Sequence, residues 1–184
     1  MSNMNVEIKY TYQDLLTTPD DRHRYEIFEG ELIVTPSPIP IHQIAVSNLH
    51  RILSTFVETH NLGKVLVAPL DVYFDEETVV EPDILFIRKE RLSIIDEQKV
   101  NGSPDVVIEV LSPSTESRDR GFKFKRYAQE GVKEYWIADP DSKTIELYHL
   151  SGNGFVLHQR YNRNDEVPSQ YFSGLQFTVA EIWA

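Results

Sequence analysis

A carboxylate inside an apolar strand constrains this chain more than any other feature. The run Ser103-Pro104-Asp105-Val106-Val107-Ile108-Glu109-Val110-Leu111 is rich in Val and Ile and is bounded by turn residues. That pattern predicts a buried strand rather than a short helix. Side chains alternate across a strand, so Asp105, Val107, Glu109 and Leu111 point one way and Val106, Ile108 and Val110 the other. Glu109 therefore sits where an ionised carboxylate is costly unless a cation pairs with it. A metal ion or a lysine would satisfy it. The preceding apolar run, Glu81 to Ile87, carries Asp83 at its head, within reach of Glu109 if the two strands are neighbours. After the polar loop Ser112 to Ser117, a helical stretch carries Asp119, Lys123 and Tyr127 at i, i+4 and i+8, on one helix face. The plain reading of Asp119 and Lys123 is an i,i+4 ion pair worth a few tenths of a kcal/mol.

The rest of the chain supplies a frame for these residues. Thr11 caps a short helix from Tyr12 to Leu16, and Tyr25 to Val34 reads as a hairpin that bends near Glu29-Gly30. The acids of that hairpin, Glu26, Glu29 and Glu31, read as solvent-facing, with the alternative that one of the three reaches a metal site, Glu29 being kept as the additional candidate. Pro36, Pro38 and Pro40 precede a helix from about Ile41 to His60, whose apolar residues recur at three- and four-residue spacing. His42 and His50 read as surface or hydrogen-bonded histidines because no HxxxH spacing joins them, and His42 is retained as an additional ligand candidate. Core strands follow at Lys64 to Phe74, Val79 to Ile87, from Asp105, at Tyr135 to Asp139 and at Thr144 to Leu150. A hairpin then turns into Phe155 to Tyr161. Short connections make the first three strands antiparallel neighbours, and the helical crossover suits parallel addition of the fourth. The expected fold is an α/β sheet domain with a mixed sheet, an N-terminal hairpin and a β-rich C-terminal end. The expectation is one domain over residues 1–184, with its core at about 41–150.

Several segments together resemble a known family. Pro82-Asp83 followed by Glu109-Val110-Leu111 on the next strand looks like the PD-(D/E)XK nuclease pattern with one departure: Leu111 stands where the lysine is expected. Lys123 on the following helix would be its migrated equivalent. More closely, RYEIFEGELIV, EPDILFI, PDVVIEVLSPST and RDRGFKFKRYAQEGVKEYWIADP resemble the Uma family of restriction-endonuclease-like proteins, over roughly residues 20–150. The resemblance implies an αβββαβ core and a metal-dependent endonuclease. Asp83, Glu109 and Lys123 would be its catalytic residues. Asp83, Glu109 and the Val110 backbone carbonyl would hold Mg²⁺ or Mn²⁺, while Asp119 and Tyr127 would support Lys123. Asp105, on the same strand as Glu109, marks a strand start and is at most a supporting residue. A nuclease-like fold with silent acids, serving as a binding module, is the alternative.

Composition narrows the partners. The 184-residue chain has no cysteine, which excludes disulfides and thiolate chemistry and is compatible with a reducing cytoplasm. No apolar run approaches the roughly 18 residues of a membrane span. Net charge is −11, which opposes a nucleic-acid substrate, since phosphate contacts usually rest on a basic footprint. Arg118, Arg120, Lys123, Lys125, Arg126 and Lys133 form a local basic cluster that would answer the objection, or else a solvated helix face. DNA is the expected partner, and cleavage of both strands by one small domain would favour a homodimer. G-x-S-x-G, P-loop and GxGxxG motifs are absent, so serine-hydrolase and nucleotide-binding chemistry have no support.

Overall fold

The computed structural model describes residues 9–21 and 23–184. A one-turn helix, α1 (Tyr12–Leu15), is closed by reciprocal contacts between Thr11 and Asp14, whose carboxylate accepts from the Thr11 backbone N–H at 2.8 Å. The hairpin β1 (Arg24–Phe28) and β2 (Glu31–Thr35) bends at Glu29 and Gly30, both with positive φ, the geometry of a two-residue hairpin turn. Helix α2 (Pro40–Thr59) starts with proline in its first turn, where no backbone N–H is needed. Its buried residues Ala45, Leu49, Leu53 and Val57 repeat every four positions and form one face.

Two sheets follow. In the larger, β3 (Gly63–Val67) pairs antiparallel with β6 (Ile84–Arg88), and β6 pairs antiparallel with β8 (Val106–Val110). Strand β9 (Glu134–Asp139) adds parallel to β8, and β10 (Thr144–Ser151) and β11 (Gly154–Tyr161) complete the sheet in the order β11-β10-β9-β8-β6-β3. The α2-β3-β6-β8-helix-β9 path is the expected αβββαβ core. The smaller sheet, ordered β2-β1-β5-β4-β7, is built from the hairpin plus β4 (Val72–Asp75), β5 (Thr78–Val80) and β7 (Val100–Asn101).

This second sheet corrects two strands read from the sequence. Lys64 to Phe74 divides into β3 and β4 around Pro69, and Val79 to Ile87 divides into β5 and β6 around Pro82. Proline cannot donate to a ladder, so each marks where the chain leaves one sheet for the other. The helix bearing Asp119, Lys123 and Tyr127 is also two pieces, α3 (Glu116–Asp119) and α4 (Phe122–Gln129). They are joined at Gly121, where a Cβ would lie 2.6 Å from the Ser117 carbonyl oxygen.

The alternation expected of β8 decides the core. Val106, Ile108 and Val110 pack with Leu49, Leu53 and Trp136 on one face of the large sheet. Val107 and Leu111 pack with Tyr127, Tyr135 and Ile137 on the other. The C-terminal segment covers the first face with Phe172 and Phe177 buried. Between α2 and β3 the chain turns through Asn61 (φ 52°) and Gly63 (φ 153°). A Cβ on Gly63 would lie 2.0 Å from the Ile87 carbonyl oxygen, inside the β3–β6 ladder. Gly63→Ala should therefore lower unfolding free energy by at least about 2 kcal/mol, because backbone must move. Urea denaturation of the purified variant measures it, and a midpoint equal to wild type would contradict the close approach.

Candidate active site

The pairing of β6 with β8 brings the two acids together. Ile84 lies opposite Ile108, so Asp83, one residue before β6, meets Glu109. The Asp83 backbone N–H donates to Glu109 Oε2 at 3.2 Å, and the Val110 N–H donates to Asp83 Oδ2 at 2.9 Å. Asp83 Oδ1 accepts from Arg24 Nη1 at 2.8 Å, and Oδ2 lies 3.0 Å from His42 Nε2. Glu109 Oε1 accepts from Lys123 Nζ at 3.0 Å and from the Tyr127 hydroxyl at 2.8 Å. Despite the break at Gly121, Asp119, Lys123 and Tyr127 converge: Lys123 Nζ is 3.7 Å from Asp119 Oδ1.

Two residues that the sequence reading left outside its site complete the cluster. Glu26, expected at the surface, is buried, and its Oε1 takes Lys123 Nζ at 2.9 Å and the Glu81 backbone N–H at 2.9 Å. Arg24, on the same face of β1, reaches Asp83. Apolar Ile27 and Phe28 on both sides of this strand are the sequence signal that it is covered on both faces. Of the additional candidates, His42 is buried against Asp83, whereas Glu29 sits at the hairpin turn, exposed and apart from the cluster. Asp105 is not part of it either. It is buried and paired with the partly exposed Arg88 and Arg91, its Oδ1 2.9 Å from each, four residues before Glu109. At about 3.3 Å per residue that separates them by roughly 13 Å.

The cluster borders a hollow of about 250 Å³ walled by the proline segment 36–39 and the Ser112–Thr115 loop. Its charges do not cancel. Glu26, Asp83, Glu109 and Asp119 are all buried, while the permanently charged cations among them are Arg24 and Lys123. Burial works to raise the Asp83 carboxyl, but His42, Arg24 and the Val110 N–H outweigh it and hold it at about 2. Burial pushes Glu109 up to about 8; Lys123 pulls it down, and Asp119, Asp83 and Glu26 push it further up. Lys123 behaves oppositely: burial would lower it, and Glu109, Glu26 and Asp119 keep it well above the usual lysine range. Lys123 thus stays charged, and the unbalanced proton affinity falls on Glu109. Burial, with Glu26 and Asp71 adding to it, also lifts Glu81 to about 7. Among the described residues no hydrogen-bond donor reaches the buried Asp119 Oδ1, the Lys123 ammonium lying 3.7 Å away.

A carboxyl raised in the folded state stabilises the fold below its ordinary pKa of 4.5, and that contribution is lost as pH rises toward about 8. Metal-free protein should therefore lose stability between pH 5.5 and 8. Glu109→Gln should flatten that slope even if its absolute stability is lower. Urea titrations in EDTA at both pH values test this, and parallel slopes for the two proteins would refute the raised carboxyl.

With this geometry in view, the chain can be set beside known proteins. It shares 40% identity over 81 residues with the uncharacterized protein slr1290 of Synechocystis, a match spanning 44% of this chain and 42% of that one. The chain thus aligns with less than half the length of this curated relative. The fold superposes with a TM-score of 0.78 on the crystal structure of a putative nuclease belonging to DUF820 from Anabaena variabilis. That match covers 94% of this chain and 97% of the other at 20% identity, a likeness of fold. The family model Uma2, described as putative restriction endonuclease, matches residues 11–180, enclosing both sheets and the whole buried cluster. The chain belongs to the Uma2 family.

Proposed function

We propose that this chain is a divalent-metal-dependent endonuclease acting on DNA phosphodiester bonds, with Asp83, Glu109 and Lys123 at its centre. The observation that carries the reading is the charge imbalance: four buried carboxylates surround two permanent cations. With all four ionised the deficit is two positive charges, the charge of Mg²⁺ or Mn²⁺, and in the metal-free protein the proton on Glu109 offsets part of it. Among the described residues no three His, Cys, Asp or Glu side chains form a ready metal cage. That suits Mg²⁺, which is typically held by one or two carboxylates, with waters and substrate phosphate completing its shell. The donors present are hard oxygens, and among the described residues Asp119 Oδ1 has no hydrogen-bond donor of its own. Asp83, Glu109 and the Val110 carbonyl would hold the ion.

Such an ion polarises a phosphodiester and lowers the pKa of a bound water. The protein's own groups prepare for it. Asp83, held at about 2, is ionised throughout the physiological range. Glu109, pushed up to about 8 by burial, would hold its proton near neutral pH in the metal-free protein and give it up to solvent when a divalent cation binds. Lys123, charged and fixed by Glu26, Glu109 and Asp119, offsets negative charge developing on the phosphate. Tyr127 holds Glu109 from the opposite side. A second reading, a nuclease-like fold serving as a binding module, is favoured by one observation. Arg24, His42, Lys123 and Tyr127 already engage the Asp83 and Glu109 oxygens.

Metal binding and cleavage separate the two. Mn²⁺ or Mg²⁺ should raise the melting temperature of wild type by mass action. Asp83→Asn should abolish that response, and an equal shift in the mutant would remove Asp83 from the ligand set. Cleavage of DNA should require the ion and fall by roughly a hundredfold or more in Lys123→Ala, with the metal-induced melting shift retained. A wild type that takes up the ion yet cuts nothing would favour the binding module.

A further inference from the structure

Each of the two central acids has one crowded oxygen and one lightly held oxygen. Asp83 Oδ2 accepts from the Val110 N–H at 2.9 Å and lies 3.0 Å from His42 Nε2. Glu109 Oε1 accepts from Lys123 Nζ at 3.0 Å and from the Tyr127 hydroxyl at 2.8 Å. A carboxylate oxygen offers about two lone-pair sites, so these two oxygens are filled. Among the described residues, Glu109 Oε2 accepts only from the Asp83 N–H, at 3.2 Å, and Asp83 Oδ1 only from Arg24 Nη1, at 2.8 Å. The oxygens left for a cation shared by both acids are therefore Oδ1 and Oε2. Arg24 stands on the first of them.

The two permanent cations of the cluster are held very differently. Lys123 Nζ lies 2.9, 3.0 and 3.7 Å from Glu26, Glu109 and Asp119, and its side chain is 5% exposed. Arg24 has one ion-pair partner among the described residues, Asp83, and its side chain is 20% exposed. It is the first residue of β1 and borders two hollows. One is the 250 Å³ hollow beside Glu109 and Lys123; the other, about 350 Å³, is lined by Gln43, Val46 and Pro69. The guanidinium therefore has space to turn into, and Asp83 would keep its contacts with His42 and Val110. A divalent ion at Oδ1 would meet a positive group bonded to the same oxygen. Two cations that close repel strongly where little water screens them.

We propose that Arg24 is the resident counter-ion of this site, which holds Asp83 in the metal-free protein and competes with the divalent ion for Asp83 Oδ1. The proposal rests on the metal-dependent reading above. It gives Arg24 two effects of opposite sign: it stabilises the metal-free fold and weakens metal binding. The experiment measures Mn²⁺ binding by isothermal titration calorimetry at one fixed pH, with melting scans in EDTA, for wild type, Arg24→Gln and Arg24→Lys. Asp83→Asn reports the ions that this acidic chain takes up elsewhere. Arg24→Gln should melt below wild type in EDTA yet bind Mn²⁺ roughly tenfold or more tightly. Arg24→Lys keeps the charge but loses the planar fork and should fall between, and it carries the test if the glutamine variant does not fold. A residue that only supports the fold would lose stability and metal affinity together.

Binding by Arg24→Gln equal to or weaker than wild type overturns the competition and leaves the metal site standing. If that variant does not fold, the absence of any gain in Arg24→Lys has the same meaning. A gain in the lysine variant as large as in the glutamine variant would assign the effect to space instead of charge, and overturns the proposal too. Binding that appears only in the Arg24 variants supports it. No Mn²⁺ binding beyond that of Asp83→Asn, in wild type or in either Arg24 variant, overturns the metal-dependent reading and this proposal with it.

Discussion

The contact between Lys123 and Glu109 is the interaction on which the rest of the structure depends. A carboxylate on the fourth residue of a five-residue buried strand has no access to water, and without a partner its ionised form would not persist. Lys123 supplies the partner from the next helix, and Gly121 allows the chain to bend so that this helix returns over the strand. Removing Lys123 would leave the buried acids Glu26 and Asp119 without their cation, and breaking a buried pair in this way costs about 3–5 kcal/mol. One lysine among three carboxylates nevertheless leaves the cluster short of positive charge. The arrangement stabilises a particular geometry more than it stabilises the fold.

The division of the chain between two sheets is what assembles that geometry. Prolines at 69 and 82 send the chain out of the large sheet and back, and the excursion builds the edge on which the hairpin pairs. Strand β1 joins β5 through Ile27 and Val79, and this single pairing sets Glu26 against Lys123 and Arg24 against Asp83. The smaller sheet therefore acts as a wall of the site. The α2 helix forms another wall, since Ala45, Leu49 and Leu53 dock it on the large sheet and leave His42, one turn earlier, facing Asp83.

Net charge also takes on a different meaning in the folded chain. A charge of −11 counts against a nucleic-acid substrate when averaged over the sequence. In the structure several acids are matched locally: Glu146 lies between Arg120 and Arg160, and Asp105 lies between Arg88 and Arg91. The buried cluster keeps an excess of acids of its own, which the proposed divalent cation would offset.

Much of this was legible in the residues. Alternation in β8 separated the two faces of the sheet, the fourfold spacing of α2 marked its buried stripe, and the αβββαβ order followed from connection lengths. An acid in an apolar strand pointed to Glu109, and a neighbouring strand with an acid at its head pointed to Asp83. These signals are local, carried by periodicities of two and 3.6 residues. What the tertiary structure alone decided were the long-range pairings: Glu26 with Lys123, separated by 97 positions (26 to 123), and Arg24 and His42 with Asp83. A hairpin acid looks the same in sequence whether its strand faces solvent or another sheet. Its burial depends on the β1–β5 pairing, which brings together segments far apart in the chain; adjacent Ile27 and Phe28 signal cover on both faces of β1 but not which strand or helix supplies it.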